Sequence, residues 1–180
     1  YLNNNVAWCR ATYAMEVFGS MLNKGDTLLI YPMYPFTVDG KEYSMESPLR
    51  ITDATKASTI RENFTKDPGG TPIETIDAAA EGLKTVTADK KYMVVLTDGD
   101  AFWLGGKSMT ADKSKKELDA RIKKYAGADM TVMYLGIGKN ALLPNTAQSE
   151  YFAKKKASDS ADVLSSLTEM CNQIFGRDTL

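Results

Sequence analysis

Tyr92-Met93-Val94-Val95-Leu96-Thr97-Asp98-Gly99 is an apolar run that ends abruptly in a hydroxyl, a carboxylate and a glycine. A strand with one wet face alternates apolar and polar residues. A run without alternation predicts a strand covered on both faces, as in a parallel sheet. Met130 to Leu135 (MTVMYL) has the same character and is ended by Gly136-Ile137-Gly138. Between the two lies Lys113 to Ala126, where Leu118, Ile122 and Tyr125 recur at helical spacing before a stop at Gly127. Strand, helix, strand is the crossover unit of a parallel sheet. Ligands in such sheets bind just beyond the carboxyl ends of the strands, which directs attention to Thr97-Asp98-Gly99-Asp100.

Upstream, Val6 to Leu22 reads as a helix with Ala7, Ala11, Ala14, Phe18 and Met21 inward and Thr12, Glu16 and Ser20 on the wet side. Asn5 is its expected N-cap and Asn23-Lys24-Gly25 its stop. Thr27 to Tyr31 is a short strand, and Val38-Asp39-Gly40-Lys41 a hairpin turn, with edge-strand material running on to Ile51. Ala54 to Phe64 reads as a weaker helix. Thr71-Pro72-Ile73-Glu74 has the form of a capping box, opening a helix with Ile76, Ala79, Ala80 and Leu83 on one stripe. Downstream, Thr146 to Ala157 reads as a helix. Asp162 to Phe175 follows as another, with Val163, Leu164, Leu167, Met170, Cys171, Ile174 and Phe175 in register. The fold class is therefore α/β: one domain over residues 1–180, a doubly wound, mostly parallel sheet with helices on both faces and one antiparallel edge strand.

Composition narrows the chemistry. The 180 residues, 43% hydrophobic and 25% charged, suit one domain with a sizeable core. Twenty-two Lys+Arg against 23 Asp+Glu leave a net charge of -1, so no bulk field draws the chain to nucleic acid. No stretch reaches the ~18 apolar residues of a membrane span. The absence of histidine excludes His triads, His bases and HExxH zinc sites. Cys9 and Cys171 fall in apolar stripes of the first and last helices. Buried thiols are expected, with a disulfide left open.

Two nucleotide patterns fail on context. Ala101 to Ser108 (AFWLGGKS) resembles a P-loop, but Phe102 and Trp103 would fill the space where backbone N–H groups must curl around phosphates. Gly136-Ile137-Gly138-Lys139-Asn140-Ala141 fits a GxGxxA fingerprint, yet only helical sequence follows where a second strand should stand. Phe18-Gly19-Ser20-Met21, which looks like the tail of a metal motif, lies within helical register and reads as packing.

The stronger signal is a pair. Thr71 follows Gly69-Gly70, and Asp98 closes a strand about one helix and one crossover later. A hydroxyl and a carboxylate converging at a sheet rim are hard oxygen ligands suited to Mg²⁺, Mn²⁺ or Ca²⁺.

Gly69-Gly70-Thr71-Pro72 and Leu96-Thr97-Asp98-Gly99, in this order and with these flanking elements, resemble the von Willebrand factor A (vWA) domain over nearly the whole chain. The resemblance implies a Rossmann-like fold and a metal-ion-dependent adhesion site in which Thr71 and Asp98 occupy ligand positions. Asp100 is a nearby acid with no assigned role. It implies a non-enzymatic binding module whose divalent ion takes an acidic group from a protein partner, with Phe102-Trp103 and the Tyr31 to Tyr43 stretch shaping the surface. The family begins with a central strand ending in Asp-x-Ser-x-Ser, which supplies three of five ligand positions. At most five residues precede the first helix here, so the expectation is a site incomplete in this chain, holding Mg²⁺ weakly or not at all. A central strand buries about four to six apolar side chains at ~1.5–3 kcal/mol each, on the order of 10 kcal/mol. That sum rivals the ~5–15 kcal/mol stability of a whole domain. The strand is therefore expected from elsewhere: an upstream piece, another chain or a neighbouring molecule. Two alternatives stand beside the adhesion reading. One is a regulatory subunit of an intracellular ATPase or chelatase machine, and the other a Rossmann-like nucleotide enzyme. Adhesion places the chain outside the cell or at its surface, the machine in the cytoplasm.

Overall fold

A computed structural model describes residues 3–38, 40–58, 60, 70–146, 150–158 and 160–176, with the backbone alone for 3–9, 38 and 160. The expected βαβ unit lies at its centre. Strand β5 (Tyr92–Thr97) pairs in parallel with β8 (Thr131–Ile137), Tyr92 opposite Thr131 and Thr97 opposite Gly136. Helix α3 (Ala111–Tyr125) connects them and is capped by Thr110, whose hydroxyl accepts from the Lys113 N–H. A third parallel strand, β9 (Phe152–Ala157), pairs with the far edge of β8, giving the order β5-β8-β9. The central strand is buried from Val132 to Ile137, as its unbroken apolar sequence demands.

Helices cover both faces. Val132 and Tyr134 point to a core made with Ile76 and Ala80 of α2 (Glu74–Lys84) and with Leu118 and Ile122 of α3. Met133, Leu135 and Ile137 point the other way, to Phe18 of α1 (Asn3–Ser20) and to Val163, Leu167 and Cys171 of α4 (Ser160–Phe175). The period-two alternation of one strand thus divides the core into two layers. Among the described residues, no helix is long and apolar enough to cross a membrane.

The antiparallel content is larger than the one edge strand expected. It forms separate two-stranded ladders: β1 (Leu28–Ile30) with β4 (Leu49–Ile51), β2 (Phe36–Val38) with β3 (Lys41–Tyr43), and β6 (Trp103–Leu104) with β7 (Lys107–Ser108). The β2–β3 turn falls at the predicted position, although Asp39 lies outside the described residues. The P-loop-like segment is the β6–β7 hairpin. Gly105 and Gly106 adopt φ of 60° and 76°, the left-handed pair that a tight two-residue turn requires. These glycines serve a hairpin rather than a phosphate cradle, and Gly136-Ile137-Gly138 likewise opens no helix.

Other expectations need correcting. The stretch Thr146 to Ala157 is not a helix: after residues 147–149, which lie outside the described set, it becomes β9. Lys and Ala are good helix formers, but propensity amounts to tenths of a kcal/mol per residue, and a full ladder of pairing on the open edge of β8 outweighs it. The Thr71 capping box does not form. Helix α2 starts at Glu74 behind Ile73 with no side-chain cap, and Pro72 instead makes a bridge to Trp103. Asn5 lies inside α1 rather than capping it. Thr12 is buried and Leu164 exposed, each the reverse of its expected side. Of the Ala54 to Phe64 helix, a 3₁₀ turn at Ala54–Lys56, capped by Asp53, and helical backbone at residues 58 and 60 are described, while residues 59 and 61–64 lie outside. Phe18 and Gly19 do pack as expected: Phe18 is buried, and α1 crosses Ala57 closely at Gly19. Cys171 is fully buried between α4 and α1, and the Cys9 side chain lies outside the description.

Candidate functional site at the sheet rim

Thr71 lies with its hydroxyl beside Gly99, the residue after Asp98, at the carboxyl end of β5. Two backbone bonds set its position: Trp103 N–H donates to the Thr71 carbonyl at 2.8 Å, and Ile73 N–H donates to the Trp103 carbonyl at 2.9 Å. The segment before α2 is therefore laced to the loop that follows Asp98. Phe102, fully buried, anchors that loop, and its N–H donates to the buried Ser114 hydroxyl of α3 at 2.8 Å.

Gly99 is where the two halves touch. A Cβ built there would lie 3.2 Å from Thr71 Oγ1, 3.2 Å from the Ala101 carbonyl oxygen and 3.3 Å from Thr97 Oγ1. Only a residue without a side chain lets these three oxygens close in unhindered. Thr97 is buried and its hydroxyl accepts from the Gly99 N–H at 3.1 Å. The Gly99 carbonyl accepts from Leu142 N–H at 2.8 Å, and the Leu142 carbonyl accepts from the Tyr134 hydroxyl at 2.7 Å. Burial pushes that phenol's pKa up, so it stays a donor.

Within this frame Asp98 and Asp100 are exposed and Thr71 is half-buried. Among the described residues, none of the three side chains has a hydrogen-bond or ion-pair partner. Their oxygens are thus uncommitted, beside a main chain bonded at Thr71, Gly99, Phe102 and Trp103. Sequence reasoning pointed to the Thr97 stretch and to Trp103 as a surface residue, but not to the bonds that either makes. The Thr97 hydroxyl was visible in Leu-Thr-Asp-Gly, but the Trp103 bonds are main-chain and leave no signature. The aromatics expected at the surface divide: Phe102 is core, Phe36 is buried with its ring 5.5 Å from that of Tyr43, and Trp103 and Tyr34 are about two-fifths exposed.

As a cation site the donor set is right in kind and short in number. Mg²⁺ takes about six oxygens in a near-octahedral shell. Thr71 and Asp98 offer two, and among the described residues no three His, Cys, Asp or Glu side chains come together. The pair does not by itself fit a resident ion.

Thr71 and Asp98 also stand at one end of a cavity of about 1290 Å³ that runs the length of β5, from Lys90 to Asp98, between β5 and the Leu28–Tyr31 segment. Half-burial of Val94 and Leu96, against full burial of β8, reflects this open side.

A second polar cluster ties α2 to α3 away from the rim. Asp77 accepts from the Tyr125 hydroxyl at 2.6 Å and from Arg121 Nε at 3.0 Å, while Arg121 Nη1 donates to Glu117 at 2.8 Å. Burial, the bond to Asp77 and its charge all raise the Tyr125 pKa, and the cluster reads as a helix–helix clasp. Comparison with protein-family models, with curated proteins and with solved structures returned no match.

Proposed function

We propose that the chain is a non-enzymatic binding module of the vWA type, whose working surface is the rim around Thr71 and Asp98. The observation that carries this reading is the convergence of a threonine hydroxyl and an aspartate carboxylate, both without partners among the described residues, beyond the carboxyl end of a parallel strand. Paired and bonded side chains would argue for a structural role. These are held in place by backbone bonds while their own oxygens stay available.

The ligand is an acidic group of a protein partner, reached through a divalent cation. Thr71 and Asp98 supply two of that cation's oxygens, and the remainder come from water or from a segment that docks beside them. In this chain alone the cation is held weakly. Trp103, exposed and bonded through its main chain to Thr71 and to Ile73, is the adjacent apolar contact for a partner.

Mn²⁺ added to isotope-labelled chain tests the reading through residue-resolved paramagnetic broadening. Selective broadening at Thr71, Asp98 and Gly99, lost in Asp98→Asn, is the expected result. Broadening centred elsewhere, or unchanged in Asp98→Asn, contradicts it.

A further inference from the structure

We propose that Glu74 is a positioning residue for the rim. By latching the tip of the β6–β7 hairpin, it keeps the Thr71 hydroxyl from being spent on capping α2 and leaves it available to a ligand. That consequence rests on the rim reading above, whereas the latch itself is testable without a cation.

The four residues Thr71-Pro72-Ile73-Glu74 can be satisfied in two ways. One is local. In a capping box the Thr71 hydroxyl would accept from the N–H of Ile73 or Glu74, and the Glu74 carboxylate would reach back to the Thr71 N–H. The other is long-range, and it is the one adopted. The Ile73 N–H donates to the Trp103 carbonyl at 2.9 Å, and Glu74 Oε1 accepts from the Gly105 N–H at 2.6 Å. One hairpin therefore takes both a donor and the acceptor that the box would use. Helix α2 is left without a side-chain cap, and the Thr71 hydroxyl stands beside Gly99 instead.

The hairpin meets this segment at three levels. At its base the Trp103 ring lies against Gly70: a Cβ built there would fall 2.6, 2.7 and 2.9 Å from the ring carbons Cδ2, Cε2 and Cε3. Only glycine admits the ring so closely. In the middle, the Trp103 N–H donates to the Thr71 carbonyl at 2.8 Å. At the tip, the left-handed pair Gly105-Gly106 turns the ribbon, and the Glu74 carboxylate holds the first of them. The first two contacts come from Trp103 alone. Glu74 supplies the third, a charge-assisted bond, and in doing so withdraws half of the capping box. Because its Oε1 is committed to Gly105, Glu74 acts on Thr71 through the hairpin and not as an oxygen for the ion.

Two variants separate these roles: Glu74→Ala removes the acceptor, while Glu74→Gln keeps it and removes only the charge. Amide exchange and carbon shifts of the labelled 180-residue chain are read by NMR, first without metal and then with Mn²⁺. In Glu74→Ala the Gly105 and Trp103 amides should exchange at least roughly tenfold faster. The Thr71 Cβ shift should move toward that of a capping threonine, and the amide at position 74 should exchange more slowly as the hydroxyl takes it. Mn²⁺ broadening at Thr71, relative to Asp98, should fall about fivefold, the change in population that one cap is worth. Glu74→Gln should match the wild type in every readout. Three results overturn the proposal. They are unchanged Gly105 exchange in Glu74→Ala, a loosened hairpin with an unmoved Thr71 shift, and a Glu74→Gln chain that behaves like Glu74→Ala. Absence of rim broadening in the wild type removes the cation reading alone, and the metal-free shifts and exchange then decide the latch.

Discussion

The Trp103 N–H donates to the Thr71 carbonyl at 2.8 Å, across 32 positions of sequence, and so joins the turn before α2 to the loop after β5. Both candidate oxygen ligands ride on this joint. Thr71 is held from behind by its own main chain, and its hydroxyl is left beside Gly99 rather than spent on capping the helix.

Gly99 is the tightest point of that arrangement. Gly99→Ala places a methyl group 3.2 Å from Thr71 Oγ1 and from a backbone carbonyl, so the neighbours must give by a few tenths of an ångström. The expected cost is about 1 kcal/mol of stability, the low end for overpacking, with amide shifts confined to Thr71, Thr97 and Ala101. Denaturant unfolding and NMR shifts check both parts. A variant with wild-type stability and an undisturbed Thr71 would mean that the rim is looser than described.

Ser114 anchors the same loop from below. It is fully buried in α3, and its hydroxyl accepts from the Phe102 N–H. Ser114→Ala leaves that buried donor unmet, for an expected loss of about 1–3 kcal/mol. Exchange of the Phe102 amide should quicken more than that of the Leu118 amide one turn along the helix. Equal acceleration at the two sites would show a global rather than a local effect.

Alkaline pH should destabilise the fold through two tyrosines. Tyr134 has its pKa raised by burial, and Tyr125 by burial and by its bond to the Asp77 carboxylate. Each therefore holds its proton more tightly folded than unfolded. Their contribution is complete below the ordinary phenol value of ~10 and is lost as pH rises toward the higher folded value. Denaturation midpoints should fall as pH climbs above ~10, and less steeply in Tyr134→Phe. Phenolate absorbance measured alongside should show these two groups ionising with unfolding, not before it.

What the sequence made legible follows from how local each signal was. The strands read at Tyr92 to Thr97 and Met130 to Leu135 announce themselves because a doubly covered strand has no polar face to hide it, although the second runs on through Gly136 to Ile137. Thr71 and Asp98 were legible as a pair because one precedes a helix and the other follows a strand, and both line one cavity. The strand Phe152–Ala157 was misread, since Phe-Ala-Lys-Lys-Lys-Ala carries no period of two. Its state is decided by β8, whose edge lies outside the segment. Thr71 looked like a helix cap because the competing partner for its peptide, Trp103, is invisible in local sequence.

Residue-resolved hydrogen exchange of β5 in the unliganded chain tests the central claim most directly, because the rim site and the cavity, an open slot along the strand's free edge, share this strand. Alternate residues of a strand direct their N–H groups to opposite sides. With β8 on one side and an open slot on the other, the β5 amides should fall into two classes. Every second amide should be protected by β8, and those between should exchange faster by at least roughly a hundredfold. Uniform protection along Tyr92–Thr97 would mean that another segment already fills the slot, and would contradict the account.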